Sequence, residues 1–131
     1  NQLMLSGLAL RPEDARLLWV SPRMTEVSWL DLADNRLGDA GVRDLANCGF
    51  LTNVQYLNLN NNGIGDEGPK TLATSAFLPK LKRLHLKSNP IRGEGIAALF
   101  DSETLEGLQT FQFHDGWTCK KMEGWRYKPK A

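Results

Sequence analysis

Leu30, Leu57, Leu84 and Phe111 stand 27 residues apart. Leu32, Leu59, Leu86 and Phe113 keep the same step, as do Asn35, Asn62 and Asn89. Glycines repeat it at Gly41, Gly68 and Gly95, and leucines at Leu45, Leu72 and Leu99. A period held at this many positions means that one supersecondary unit is stacked on copies of itself. A chain built that way buries each unit's apolar faces against the next unit.

Residues 54–80 show the unit: VQYLNLNNNGIGDEGPKTLATSAFLPK. Leu57 and Leu59 alternate with Tyr56, Asn58 and Asn60, the pattern of a half-buried strand. Asn62 falls where the chain must bend, and a stack of such asparagines can satisfy loop backbone taken out of water. Asp39 and Asp66 read as helix caps. Pro69 fits a first helical turn, where its missing donor does little harm. Leu72 and Ala73 continue a buried helix face, Phe77 and Leu78 close the layer, and Pro79 is expected to end the helix. The same reading covers residues 27–53 and 81–107. It extends back to Leu3, Leu5, Leu10 and Leu18, with Leu8 in the asparagine column.

The string L-x-x-L-x-L-x-x-N-x-I/L, followed by Gly-Asp-x-Gly and Leu-Ala, resembles the leucine-rich repeats, most of all the ribonuclease-inhibitor-like subclass. Val54, Leu57, Leu59, Asn62, Ile64, Gly68 and Leu72 carry the likeness, which spans residues 3–113. Leu8 and Gly116 in the asparagine column depart from it, and so does a constant period slightly shorter than that subclass usually shows. The resemblance implies an α/β solenoid with parallel strands on a concave face and helices on a convex one. About four 27-residue repeats and a partial last repeat are expected. It also implies a protein that binds other proteins.

Two regions are predicted: a solenoid over residues 1–113 and a tail over 114–131. The tail breaks the period and brings Trp117, Trp125 and Tyr127 together with Lys120, Lys121, Arg126, Lys128 and Lys130. It reads as an aromatic cap over the last core layer or as a basic recognition segment. At the other end, the first strand begins with no polar segment to cover its edge. Further repeats or a partner are expected to meet it.

Strand alternation selects the residues that face a partner. Leu30 and Leu32 point inward, so Trp29, Asp31 and Ala33 point to the concave side. The same columns yield Tyr56, Asn58 and Asn60, then Arg83, His85 and Lys87, then Thr110, Gln112 and His114. The candidate protein-binding set is Trp29, Asp31, Tyr56, Asn58, Arg83, His85, Lys87, Gln112 and His114. Trp29, Tyr56 and Arg83 lead it, because large aromatics and arginine are the side chains most enriched at interface hot spots. The plainer alternative is that Trp29 stacks on Tyr56 and Arg83 lies over the Tyr56 ring, each satisfying the other. Lys80 and Lys82 precede the basic strand, whereas Asp31 and Asp34 give an earlier one the opposite sign.

Charge follows the same asymmetry. Residues 1–79 hold six Lys and Arg against nine Asp and Glu (−3), and residues 80–131 hold ten against six (+4), giving the net +1. That small total argues against a nucleic-acid binder. No apolar run is long enough to span a bilayer. Cys48 and Cys119 make no disulfide framework, and Cys48 shares its column with Ser21, Ser75 and Ser102, as a small packed residue would. A cytoplasmic setting follows.

No phosphate-binding glycine loop or nucleophile elbow occurs. His85, His114, Asp115 and Cys119 match no metal-ligand spacing. No cofactor, metal, small-molecule substrate or catalytic residue is expected. The alternatives to passive binding are a regulator of an enzyme, as an inhibitor or GTPase activator, and a structural spacer in a longer array.

Overall fold

In the computed structural model, the backbone is described for residues 1–114, 117–121 and 125–129, and side chains for residues 1–114 and Cys119. Strands β1 (Gln2–Met4), β2 (Trp29–Asp31), β3 (Tyr56–Asn58), β4 (Arg83–His85) and β5 (Thr110–His114) alternate with helices α1 (Pro12–Trp19), α2 (Gly38–Ala46), α3 (Glu67–Ala73) and α4 (Gly93–Phe100). A 3₁₀ turn spans Pro22–Glu26. The five strands pair in parallel in sequence order, each residue opposite the one 27 further on. The column Leu3, Leu30, Leu57, Leu84 and Phe111 is in register throughout, and from Leu30 onward it is wholly buried. Burial of each such side chain contributes about 2 kcal/mol, so the leucine period alone fixes the register.

Two antiparallel strands extend this sheet, β6 (Trp117–Lys121) and β7 (Trp125–Pro129). The tail that breaks the period is therefore strand over these residues, because a hairpin needs no period to pair with β5. Cys119 lies opposite Phe111 and is buried against the same core. The tail's aromatic and basic side chains, and Gly116, lie outside the described residues.

Polar side chains join the repeats along three columns. The Asn35 carboxamide accepts from the amides of Leu8 and Leu10 and donates to the Leu5 carbonyl, all in the preceding repeat. Asn62 accepts from Leu37 and donates to Leu32. Asn89 accepts from Asn62 and Ile64 and donates to Leu59. Every asparagine thus reaches backward. The aspartates reach forward: Asp39 accepts from Gly65 and Gly68, and Asp66 from Arg92 and Gly95. They are caps, as expected, but of the next repeat's helix rather than their own. In the third column the Cys48 thiol donates to the Trp19 carbonyl, Ser75 to Ala46 and Ser102 to Ala73. Each satisfies a carbonyl at the end of the helix before it. Cys48 and Cys119 are free buried thiols; burial raises both, Cys119 to about 12.

Three details depart from the sequence reading. Helix α3 ends at Ala73, six residues before Pro79, and the return segment carries Leu78 into the core. Phe77 is 38% exposed and closes no layer. Ala33, expected on the open side, is buried. Beyond β1, Leu8 and Leu17 are exposed, at 56% and 77%.

Candidate functional site

The sheet face opposite the helices carries side chains from two columns of the strands. In-register parallel strands about 4.8 Å apart bring identical positions side by side. Trp29 and Tyr56 are paired this way, and their rings stack with centroids 3.7 Å apart and planes 17° apart. On its other side Tyr56 meets the edge of His85, at 4.9 Å and 64°. Among the described residues no cation–π contact joins Arg83 to Tyr56. Arg83 lies opposite Tyr56 in register, but its side chain is exposed, and His85 takes the ring contact diagonally.

The second column runs Met4, Asp31, Asn58, His85 and Gln112. Asp31 and Asn58 are partly committed to the fold. Asp31 accepts from the Ala33 amide and Asn58 from the Asn60 amide, each at 3.0 Å, closing the strand ends. Asn60 accepts from the Lys87 amide at 2.8 Å. The structure thus brings Trp29, Asp31, Tyr56, Asn58, Arg83, His85 and Gln112 together on one face. Lys87 lies just beyond β4 and the exposed His114 ends β5.

The electrostatics of this face follow from burial and neighbours. The Tyr56 hydroxyl is pushed up, mainly by burial and then by Asp31, against the opposing effects of Asn58 and Arg83. His85 is pushed down, mainly by burial and then by Lys87 and Arg83, with Asp31 opposing. Its neutral form is therefore the folded one. This contribution to stability is present above the unfolded value of about 6.5 and is lost as pH falls through the lower folded value. Between about pH 8 and about pH 5, the urea midpoint of His85→Gln should fall less than that of the unsubstituted chain. Equal falls would remove His85 from the pH dependence.

A groove of about 370 Å³ adjoins the aromatic pair, lined by Trp29, Gln55, Tyr56, Lys82, Arg83 and Gln109. Gln55, Lys82 and Gln109 immediately precede β3, β4 and β5 and also stand 27 apart. Sequence reasoning left Gln55 and Gln109 out of the site. Their signal was a polar column just outside the strands. Among the described residues, Lys82, Arg83 and Lys87 form no ion pair, whereas the helical layer pairs Arg16 with Asp44 at 2.9 Å and Lys70 with Glu94 at 3.0 Å.

Among the described residues no group of three or more His, Cys, Asp or Glu could hold a metal ion. Nor is any helix among them long and apolar enough to cross a membrane. The described residues of this face offer stacked rings, amides and cations on one side of the sheet.

Residues 52–99 match a family model described as leucine rich repeats in two copies, and residues 30–46 match a second leucine rich repeat model. Over these residues the family models find leucine-rich repeats, and the five parallel strands and four helices fit a solenoid of that kind. Such repeats are generally protein–protein interaction modules and typically non-enzymatic. No curated protein matches the chain.

Proposed function

We propose that this chain is a non-catalytic protein-binding module that engages its partner through the open face of the sheet. The observation that carries the reading is the Trp29–Tyr56 stack. Two large rings lie on the side of the sheet away from the helices, half exposed, where the core gains little from them. A rigid aromatic pair flanked by an exposed arginine offers contact area whose ordering cost is already met. Asp31 near one end and Arg83 and Lys87 toward the other make the face bipolar, an arrangement that orients a partner and speeds its approach. Asn58, Gln112 and His114 extend the same surface. A helix in each of the four complete repeats supports the ribonuclease-inhibitor-like subclass. The continuation of the sheet through β6 and β7 supports the C-terminal segment as a cap. Buried free thiols suit a cytoplasmic setting.

The test is a capture experiment with the intact chain and with Trp29→Ala and Arg83→Ala, followed by affinity measurement on whatever protein the unsubstituted chain retains. Each substitution should weaken that binding about tenfold or more in a chain that still folds, with Trp29→Ala lowering the free energy of unfolding by about 1 kcal/mol through its lost ring stack and Arg83→Ala by about 0.5 kcal/mol or less. Undiminished affinity in both variants would reject the open face as the binding surface.

A further inference from the structure

The groove beside the aromatic pair defines the chemistry of what it takes. Its lining holds two aromatic rings, two glutamines and two cations, Lys82 and Arg83, and no carboxylate. Lys82, Arg83, Gln55 and Gln109 are all exposed, and neither cation has an ion-pair partner among the described residues. Lys87 adds a third positive charge on the same side of the sheet. Asp31 is the one carboxylate in the two strand columns of β1–β5, and one of its oxygens already accepts the Ala33 amide.

We propose that this groove binds an extended acidic segment of a protein partner, with an Asp or Glu carboxylate on Arg83 and Lys82 and a flat or aliphatic side chain against Trp29 and Tyr56. This rests on the open face being the binding surface. A guanidinium takes a carboxylate through two parallel bonds, which fixes orientation as well as charge. The two glutamine amides flank the cations, and each can both donate to and accept from a peptide backbone. Together these groups read an extended peptide with an acidic side chain.

Single-stranded nucleic acid also uses rings and cations, but it stacks bases on open ring faces and needs a basic track for successive phosphates. Here the two rings are closed on each other at 3.7 Å, leaving no gap for a base between them.

The probes are a short fluorescein-labelled peptide alternating Glu with Tyr, the same peptide with Gln for Glu, and a short labelled oligothymidylate. Their binding to the intact chain is read by fluorescence anisotropy at low and high salt. The Glu/Tyr peptide should bind best and weaken with salt. It should lose about tenfold or more in affinity with the Lys82→Gln/Arg83→Gln double variant, while Lys82→Arg should retain binding. No binding of the Glu/Tyr peptide, equal binding of the Gln peptide, tighter binding of oligothymidylate, or an unaffected double variant would each overturn the proposal. Far-ultraviolet circular dichroism of the variants establishes that they are folded. A captured partner that depends on Trp29 but ignores Lys82→Gln/Arg83→Gln would overturn the acidic specificity alone. A partner that ignores Trp29, Lys82 and Arg83 would overturn the open face with it.

Discussion

Asn62→Ala should lower the free energy of unfolding by about 3 kcal/mol, more than any single change on the open face. The side chain is 2% exposed. It accepts from the Leu37 amide at 3.2 Å and donates to the Leu32 and Asn60 carbonyls at 2.9 and 3.1 Å. The two carbonyls have other donors, Asn35 for Leu32 and the Asp34 amide for Asn60. The Leu37 amide sits on a buried residue, and no hydrogen bond described here replaces its lost acceptor. Stranding one buried donor costs about 1–3 kcal/mol, and each lost bond adds about 1 kcal/mol. Alanine also leaves empty space that the packed repeats on either side restrict from closing. The measurement is urea unfolding, reading the midpoint at constant slope. Asn47→Ala is the control. That asparagine is exposed, and its side chain donates to the Arg43 carbonyl four residues before it. Its loss should cost about 0.5 kcal/mol or less. Equal losses at the two sites would show that the asparagine column does not hold the stack together.

The same contrast explains what could be read from the chain. Leucines at Leu30, Leu57 and Leu84 announce parallel in-register strands, because a one-residue slip would put them in water. That Trp29 and Tyr56 stack follows from the same step. Which neighbour takes the far side of Tyr56 does not. A column states where a Cα stands, and Arg83 can swing its long side chain away while His85 reaches the ring from the next position. The aspartates mislead for another reason. Asp66 does stand at the cap position of α3, so a local reading assigns it there. Only the stack reveals that the next helix lies closer to its carboxylate. A fourth column went unread altogether. Gly7, Asp34, Asn61 and Ser88 all have positive φ, between 53° and 71°. Glycine, asparagine and aspartate are the residues that tolerate this conformation, so the signal was present in the chain. Helix ends escape for a subtler reason: the return segments repeat as faithfully as the helices, so the period cannot mark where α3 stops.

Two glycines at the starts of neighbouring helices should respond to alanine with opposite signs. Gly68, in the first turn of α3, has an ordinary negative φ, so conformational freedom does not explain it. Space does. A Cβ there would overlap Ile64 Cγ2 and lie 3.0 Å from Asp39 Oδ1. Ile64 is wholly buried and cannot retreat. The Asp39 carboxylate is held by the amides of Gly65 and Gly68 and would have to give them up. Alanine gains about 1 kcal/mol in helix propensity, but overpacking costs about 1–3 kcal/mol and loss of the cap about 1 kcal/mol. The expected net change is a destabilisation of about 2 kcal/mol. Gly93 opens α4 in the column of Asp39 and Asp66, with nothing within 4 Å of an added Cβ and no positive φ. There Gly93→Ala meets no obstacle and should stabilise by about 0.5–1 kcal/mol, chiefly by restricting the unfolded chain. Thermal and urea unfolding of both variants decide the matter. If Gly68→Ala stabilised as Gly93→Ala does, the glycine column would owe its existence to something other than the close approach of one repeat to the next.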